Sequence, residues 1–251
     1  MLEDEKAPFT EHLEELRKRL VYSFIAVAVG FALTYAFKEL LFEILIHPLV
    51  TVMAPGDHLV FTGIAEAFFT YLKVAFLAGL MLAAPVIFYQ FWMFVAPGLY
   101  QHERRLLLPV VIISSFFFIG GALFGYFVVF PIGFKFFLGY STETIKPMLS
   151  MKEYLRFSSL FLLAFGVVFE PPILLTFLAR LGIVSVDFLK KNRKYAILLI
   201  FIVAAVLTPT PDVVSQGLMA IPLMILYEVG IVGAKIFGKK KSEETVEEPS
   251  A

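Results

Sequence analysis

The chain has 251 residues, 59% hydrophobic and only 17% charged, against roughly 25% charged in soluble domains. So much apolar surface excludes a water-soluble fold of this length. The 21 basic and 21 acidic residues cancel, which removes charge as an argument for nucleic acid, and the absence of cysteine excludes disulfides, thiolate metal sites and a cysteine nucleophile.

Apolar runs of about the ~20 residues that cross a hydrocarbon core predict an all-α integral membrane protein with six transmembrane helices. The first helix is predicted over 10–37. Its apolar part begins like a secretory leader, but it continues past the small-residue site at Ala26-Val27-Ala28, and Glu11, Glu14 and Glu15 do not suit a leader's basic start. It therefore reads as a retained span. In the connection 38–67 that follows, residues 39–49 have a helix-like period before Pro48 and a turn at Pro55-Gly56-Asp57, which predicts an interfacial packing helix. The second and third helices are predicted at 68–96 and 106–130. Gly121 and Gly125 on the third let another backbone approach, with packing inside the bundle the expected use. After a connection at 131–153 come helices at 154–178, 193–208 and 213–237.

These six form one membrane domain over 1–237, and 238–251, rich in Lys, Glu, Ser and Pro, reads as a disordered cytoplasmic tail. Most basic residues lie in the N-terminal segment, around Arg104-Arg105, in Arg180 to Lys194 and in the tail, so both termini are expected on the cytoplasmic side. The fifth apolar run, 195–207, covers only about 20 Å at 1.5 Å per residue, so the bilayer is expected to thin beside it.

Glu170 is the strongest local anomaly. Ionised inside the bilayer it costs about 2.5–3.5 kcal/mol or more, so it needs a polar or wet neighbour. Pro171 and Pro172 lack N–H groups, so the carbonyls of Val167 and Val168 lose their helical partners and a kinked polar notch is predicted. The notch reads either as a protonated acid bonded within the bundle or as a docking point for a polar group on another membrane helix. Glu15 and Glu103 lie at the cytoplasmic ends of the first and third helices, beside Arg17-Lys18-Arg19 and Arg104-Arg105. Glu15 and Arg19 are spaced i,i+4, worth a few tenths of a kcal/mol, and spacing leaves open whether these acids serve local bases or a guest guanidinium that could bond each in a bidentate fork. Catalytic, cofactor and metal sites are not expected. Gly233 to Lys239 mimics a phosphate loop but ends a membrane helix, with Lys240 where Ser or Thr is needed.

The motifs His12-Leu-Glu-Glu-Leu-Arg-Lys-Arg-Leu20, Phe94-Val-Ala-Pro-Gly-Leu99, His102-Glu-Arg-Arg105, Tyr126-Phe-Val-Val-Phe-Pro131 and Leu207-Thr-Pro-Thr-Pro-Asp-Val-Val-Ser-Gln216 resemble TatC, the polytopic C-subunit family of the twin-arginine protein translocase. The resemblance extends from Pro8 to Phe237. It implies a concave bundle with kinked helices in the cell inner membrane, binding the twin-arginine signal peptides of folded cargo and recruiting TatA-like and TatB-like single-span subunits. Transport would draw on the proton-motive force, within a receptor complex expected to be homo-oligomeric. Carried over to matching positions, Glu15, Glu103, Arg17, Phe94, Leu99, Arg104 and Arg105 become the signal-peptide patch. Glu170, Thr208 and Gln216 face partner helices, and Pro48 and Asp212 are sensitive positions. The rival reading is a proton-coupled small-solute secondary transporter with Glu170 as relay, for which inverted symmetry between halves would argue.

Overall fold

The computed structural model describes residues 6–54, 56–61, 63–95, 107–142, 147–208 and 212–238. In chain order these form α1 (Lys6–Tyr35), α2 (Lys38–Val50), β1 (Leu59–Val60), α3 (Glu66–Val95), α4 (Leu107–Phe124), a π-helical turn (Gly125–Val129) and α5 (Phe130–Leu138). β2 (Leu149–Ser150), α6 (Met151–Val168), α7 (Pro171–Arg180), α8 (Val186–Lys191), α9 (Arg193–Leu207) and α10 (Val213–Phe237) follow. Apart from the two-residue parallel pairing of β1 with β2, the regular structure described is helical. Four stretches, Glu66–Val95, Leu107–Leu138, Met151–Arg180 and Val213–Phe237, are long and apolar enough to cross a membrane. Thr10–Tyr35 qualifies only together with Lys38–Val50, from which it is bent by 89°. α9, at 15 residues, is about 22 Å long.

The third predicted helix needs a correction: it does not end at 130 but runs on to Leu138, through Pro131. Pro131 has no N–H and would normally leave a carbonyl one turn back unpaired. The π turn just before it shifts the bonding, with Phe130 N–H donating to Gly125 O, and the helix continues. The fourth helix divides, as the two prolines require, into α6 and α7 across Phe169 and Glu170. Phe169 N–H closes α6 on Phe165 O, and Glu170 O opens α7 by accepting from Ile173 and Leu174.

The chain divides into two compact units, Met1–Phe169 and Glu170–Ala251. In the first, cross-helix contacts fix direction. His12 pairs with Phe94, Arg19 with Gln90, Gly30 with Gly79 and Thr34 with Ala75, so α1 and α3 are antiparallel. Trp92 donates to Ser114, and Phe88 lies against Phe118, so α3 and α4 are antiparallel too. α4 meets α6 through Gly121, whose missing side chain leaves room for the Phe165 carbonyl, and Phe118 packs over Gly166. Close packing within this unit is thus the use made of Gly121 and Gly125. An aromatic file, with Phe130 and Phe165 fully buried and Phe157 and Phe161 between their rings, fills the space beside α6.

At the far end of this unit from His12 and Phe94, Asp57 N–H closes a turn on Ala54 O, with Gly56 at φ 93°, where a side chain would be strained. The two longer connections are clipped together by Glu66: Oε2 accepts from Gly63 N–H at 3.2 Å, and Oε1 accepts from Lys152 N–H at 2.9 Å and Ser150 Oγ at 3.4 Å.

In the second unit α7 and α10 run parallel, Pro172 lying at the level of Gly230, Thr176 at Gly233 and Arg180 at Phe237. α9 is antiparallel to α10, tied by Arg193 to Glu228 at 2.7 Å where the two helices meet. Ala179, Leu189, Ile231 and Ala234 make its core, and Tyr227 OH donates to Leu189 O at 2.9 Å.

Candidate functional site

Glu15 occupies the face of α1 that meets α3. It lies between two cross-helix contacts: the His12 ring stacked on Phe94, centroids 4.4 Å apart, and Arg19 Nη1 donating to Gln90 Oε1 at 3.3 Å. Antiparallel packing therefore brings Phe94 to the Glu15 region although 79 positions separate them in sequence. Glu15 Oε1 accepts from Arg19 Nη2 at 3.1 Å, and the two side chains keep 28% and 20% of their surface exposed. The local i,i+4 pairing is therefore formed. Arg17, two residues on, is turned to another face of α1, exposed beside Glu14, Lys18, Val21 and Tyr22 in an open depression. The geometry unites Glu15 and Phe94 and leaves Arg17 apart. Leu99, Glu103, Arg104 and Arg105 lie outside the described residues.

Glu170 is half-buried at the head of α7, with Oε1 shut away from the surface. The parallel register of α7 on α10 sets its depth, Pro172 being level with Gly230. Gln216, in the first turn of α10, is 14 residues before Gly230, or about 21 Å along the helix. Thr208 caps the end of α9, buried, its hydroxyl donating to Ala204 O at 2.8 Å. The structure thus places Glu170 at one level of the second unit, with Thr208 and Gln216 near chain positions that lead into α10 at another. Asp212 is the N-cap of α10: Oδ1 accepts from Ser215 N–H at 2.7 Å, and its charge suits the positive end of the helix dipole.

Pro48 has a physical role that residue spacing did not show. Within α2 it cannot donate to Ile44 O, and the Tyr126 hydroxyl donates there instead, at 2.5 Å. The buried Tyr154 hydroxyl donates to the neighbouring Leu45 O at 2.6 Å. Two tyrosines from the third and fourth spans thus hold α2 through its backbone. Sequence reasoning missed both, because a tyrosine that reaches a carbonyl over 80 residues away leaves no local trace. Replacing both by Phe should cost about 1–3 kcal/mol, at about 0.5–1.5 kcal/mol per bond. A lowered melting temperature in detergent and faster protease cleavage near residues 51–57 would check it; unchanged melting would show that α2 is held by apolar contacts alone. Among the described residues no group of three His, Asp or Glu side chains could hold a metal ion.

Comparison with known proteins gives consistent matches. Residues 11–222 match the family model described as TatC: Sec-independent protein translocase protein (TatC). The Sec-independent protein translocase protein TatC of Desulforapulum autotrophicum is 65% identical over 98% of this chain and 90% of its own length. That of Escherichia coli strain K12 is 39% identical over 96% and 93% respectively. A solved structure described as the crystal structure of the twin-arginine translocase receptor TatC is 39% identical, with a TM-score of 0.78 over 90% of this chain and 99% of the solved one.

Proposed function

The chain belongs to the TatC family of Sec-independent protein translocase proteins, and from that membership we propose that it is the receptor subunit that reads the paired arginines of a signal peptide at Glu15. It is a multi-pass membrane protein and a subunit of the twin-arginine translocase, neither an enzyme nor a small-solute transporter. The Glu15 carboxylate carries the reading: an acid on a helix face packed against another span, with an aromatic ring, Phe94, one turn away. A carboxylate there can take an arginine in two parallel charge-assisted bonds and leave the peptide's apolar stretch along the helices. Glu103, Leu99, Arg104 and Arg105 would complete the patch from the connection after α3, with Arg17 contributing from the neighbouring face. Crosslinking from a photoreactive residue placed in the peptide beside its paired arginines tests it: a paired-arginine peptide should label α1 around Glu15 and a paired-lysine peptide should not. Equal labelling by both would end the reading.

The same reading gives the protein six crossings with both termini on the cytoplasmic side of the inner membrane. The alternation of helix directions supports it, since α1, α3, α4 and α6 are successively antiparallel, and α9 opposes α10 while α7 runs with it. Glu170 would receive a polar side chain from one single-span partner helix, TatA-like or TatB-like, and Thr208 and Gln216 would meet such helices at the other level, with energy for transport drawn from the proton-motive force. Glu170→Ala should abolish export and weaken recovery of the partners with the protein, while peptide crosslinking around Glu15 persists. Normal assembly and export would make Glu170 a purely internal group.

A further inference from the structure

A guanidinium already stands at the carboxylate where the guest is to bind. Arg19 Nη2 uses only one oxygen of Glu15, at 3.1 Å, and its Nη1 rests on the neutral Gln90 Oε1 of α3 at 3.3 Å. Its Nε is buried, with no hydrogen-bond acceptor among the described residues. A guanidinium carries five N–H donors in a rigid fork, and among the described residues this one makes a single one-toothed ion pair and one long bond to an amide. It occupies Glu15 without the geometry that makes such pairs strong.

We propose that Arg19 is a built-in competitor for Glu15, displaced by the guest and retained by Gln90, and that this competition sets the affinity threshold a cationic guest must pass; the inference rests on the reading of Glu15 given above. A guest arginine can present two parallel N–H groups to both carboxylate oxygens, so exchanging it for Arg19 replaces one charge-assisted bond with two. A guest lysine offers a point charge and a single comparable contact, so the exchange gains nothing to offset the disturbance of Arg19. Gln90 matters because it gives the displaced guanidinium an acceptor on α3, so that the exchange does not strand a part-buried cation. A resident competitor also explains why a recognition acid sits four residues from a base on the same helix face: displacing it costs every guest alike, so weakly bound cations fall below useful affinity.

The test measures binding of fluorescent peptides, one with paired arginines and one with paired lysines, to the full chain in lipid nanodiscs. In Arg19→Gln both peptides should bind roughly tenfold tighter, as the loss of one competing charge-assisted bond implies, with the ratio between them kept because the displacement cost is common to both. In Gln90→Leu, where Arg19 has lost its alternative acceptor, arginine-peptide binding should weaken several-fold by the same reasoning. Arg19→Lys, which keeps a resident cation, should tighten binding of both peptides much less. Unchanged affinity for both peptides in Arg19→Gln, or arginine-peptide binding as poor as that of Glu15→Gln, would overturn the competition. If Arg19→Gln does not fold, unaltered binding in Gln90→Leu would overturn it equally. Glu15→Gln binding the arginine peptide as wild type does would instead remove the receptor reading itself.

Discussion

Glu15→Gln should cut affinity for a paired-arginine signal peptide by about 30-fold or more, because truncating one side of a charged, hydrogen-bonded pair costs about 2–5 kcal/mol. The substitution keeps the shape and one acceptor oxygen, so α1 and its contacts with α3 should stay intact. In the free protein the change also releases Arg19 from its 3.1 Å ion pair, which leaves that guanidinium with Gln90. A local cation without its acid then faces an incoming dication, so repulsion adds to the lost attraction. Export of a folded reporter in vesicles should fall in parallel. Adding Glu103→Gln should bring both readouts to background, whereas wild-type binding by the double variant would show that recognition lies elsewhere in the molecule.

Gly79→Leu should damage the protein more than any change at the recognition acid. A Cβ on Gly79 would stand 2.5 Å from Phe31 N and 2.7 Å from Phe31 Cα, and one on Gly30 would stand 2.5 Å from Gly79 O. Backbone lies on both sides of the crossing, so no rotamer change can make room and the helices must separate. Separation removes the Thr34 hydroxyl from Ala75 O, now 2.7 Å away, and loosens the Arg19–Gln90 and His12–Phe94 contacts along the same seam. A loss of about 3 kcal/mol or more is expected, at the severe end for one substitution. Thermal unfolding in detergent would record it. Peptide binding should fall too, with every candidate binding side chain unchanged, because the position of Glu15 relative to Phe94 depends on that crossing. A variant that melts and binds normally would show that the two helices are held apart from each other without cost.

The break beside Glu170 and the turn at Gly56 could be read from residues alone because their causes are local. Two missing N–H groups and one glycine at φ 93° act within a few residues of themselves. The same local logic failed at Pro131, where a π turn five residues long absorbs the missing donor and carries the helix on to Leu138. Sequence spacing shows that Glu15 and Arg19 share a face. It could not show that Gln90 takes the other half of the guanidinium, since that contact spans 71 positions and exists only because α1 and α3 cross at paired glycines.

By itself, then, the sequence determined the membrane class, the approximate spans, the helix break beside Glu170 and the family, because apolar length, proline chemistry and motif order are properties of contiguous residues. The tertiary structure alone decided which of those residues meet. It set Phe94 beside the Glu15 face and Arg17 away from it, put Glu170 about 20 Å along the helix axis from Gln216, and delivered two tyrosine hydroxyls to the α2 backbone. Helix direction and register are properties of packed pairs, fixed by where small residues allow backbones to touch, and no single segment contains them.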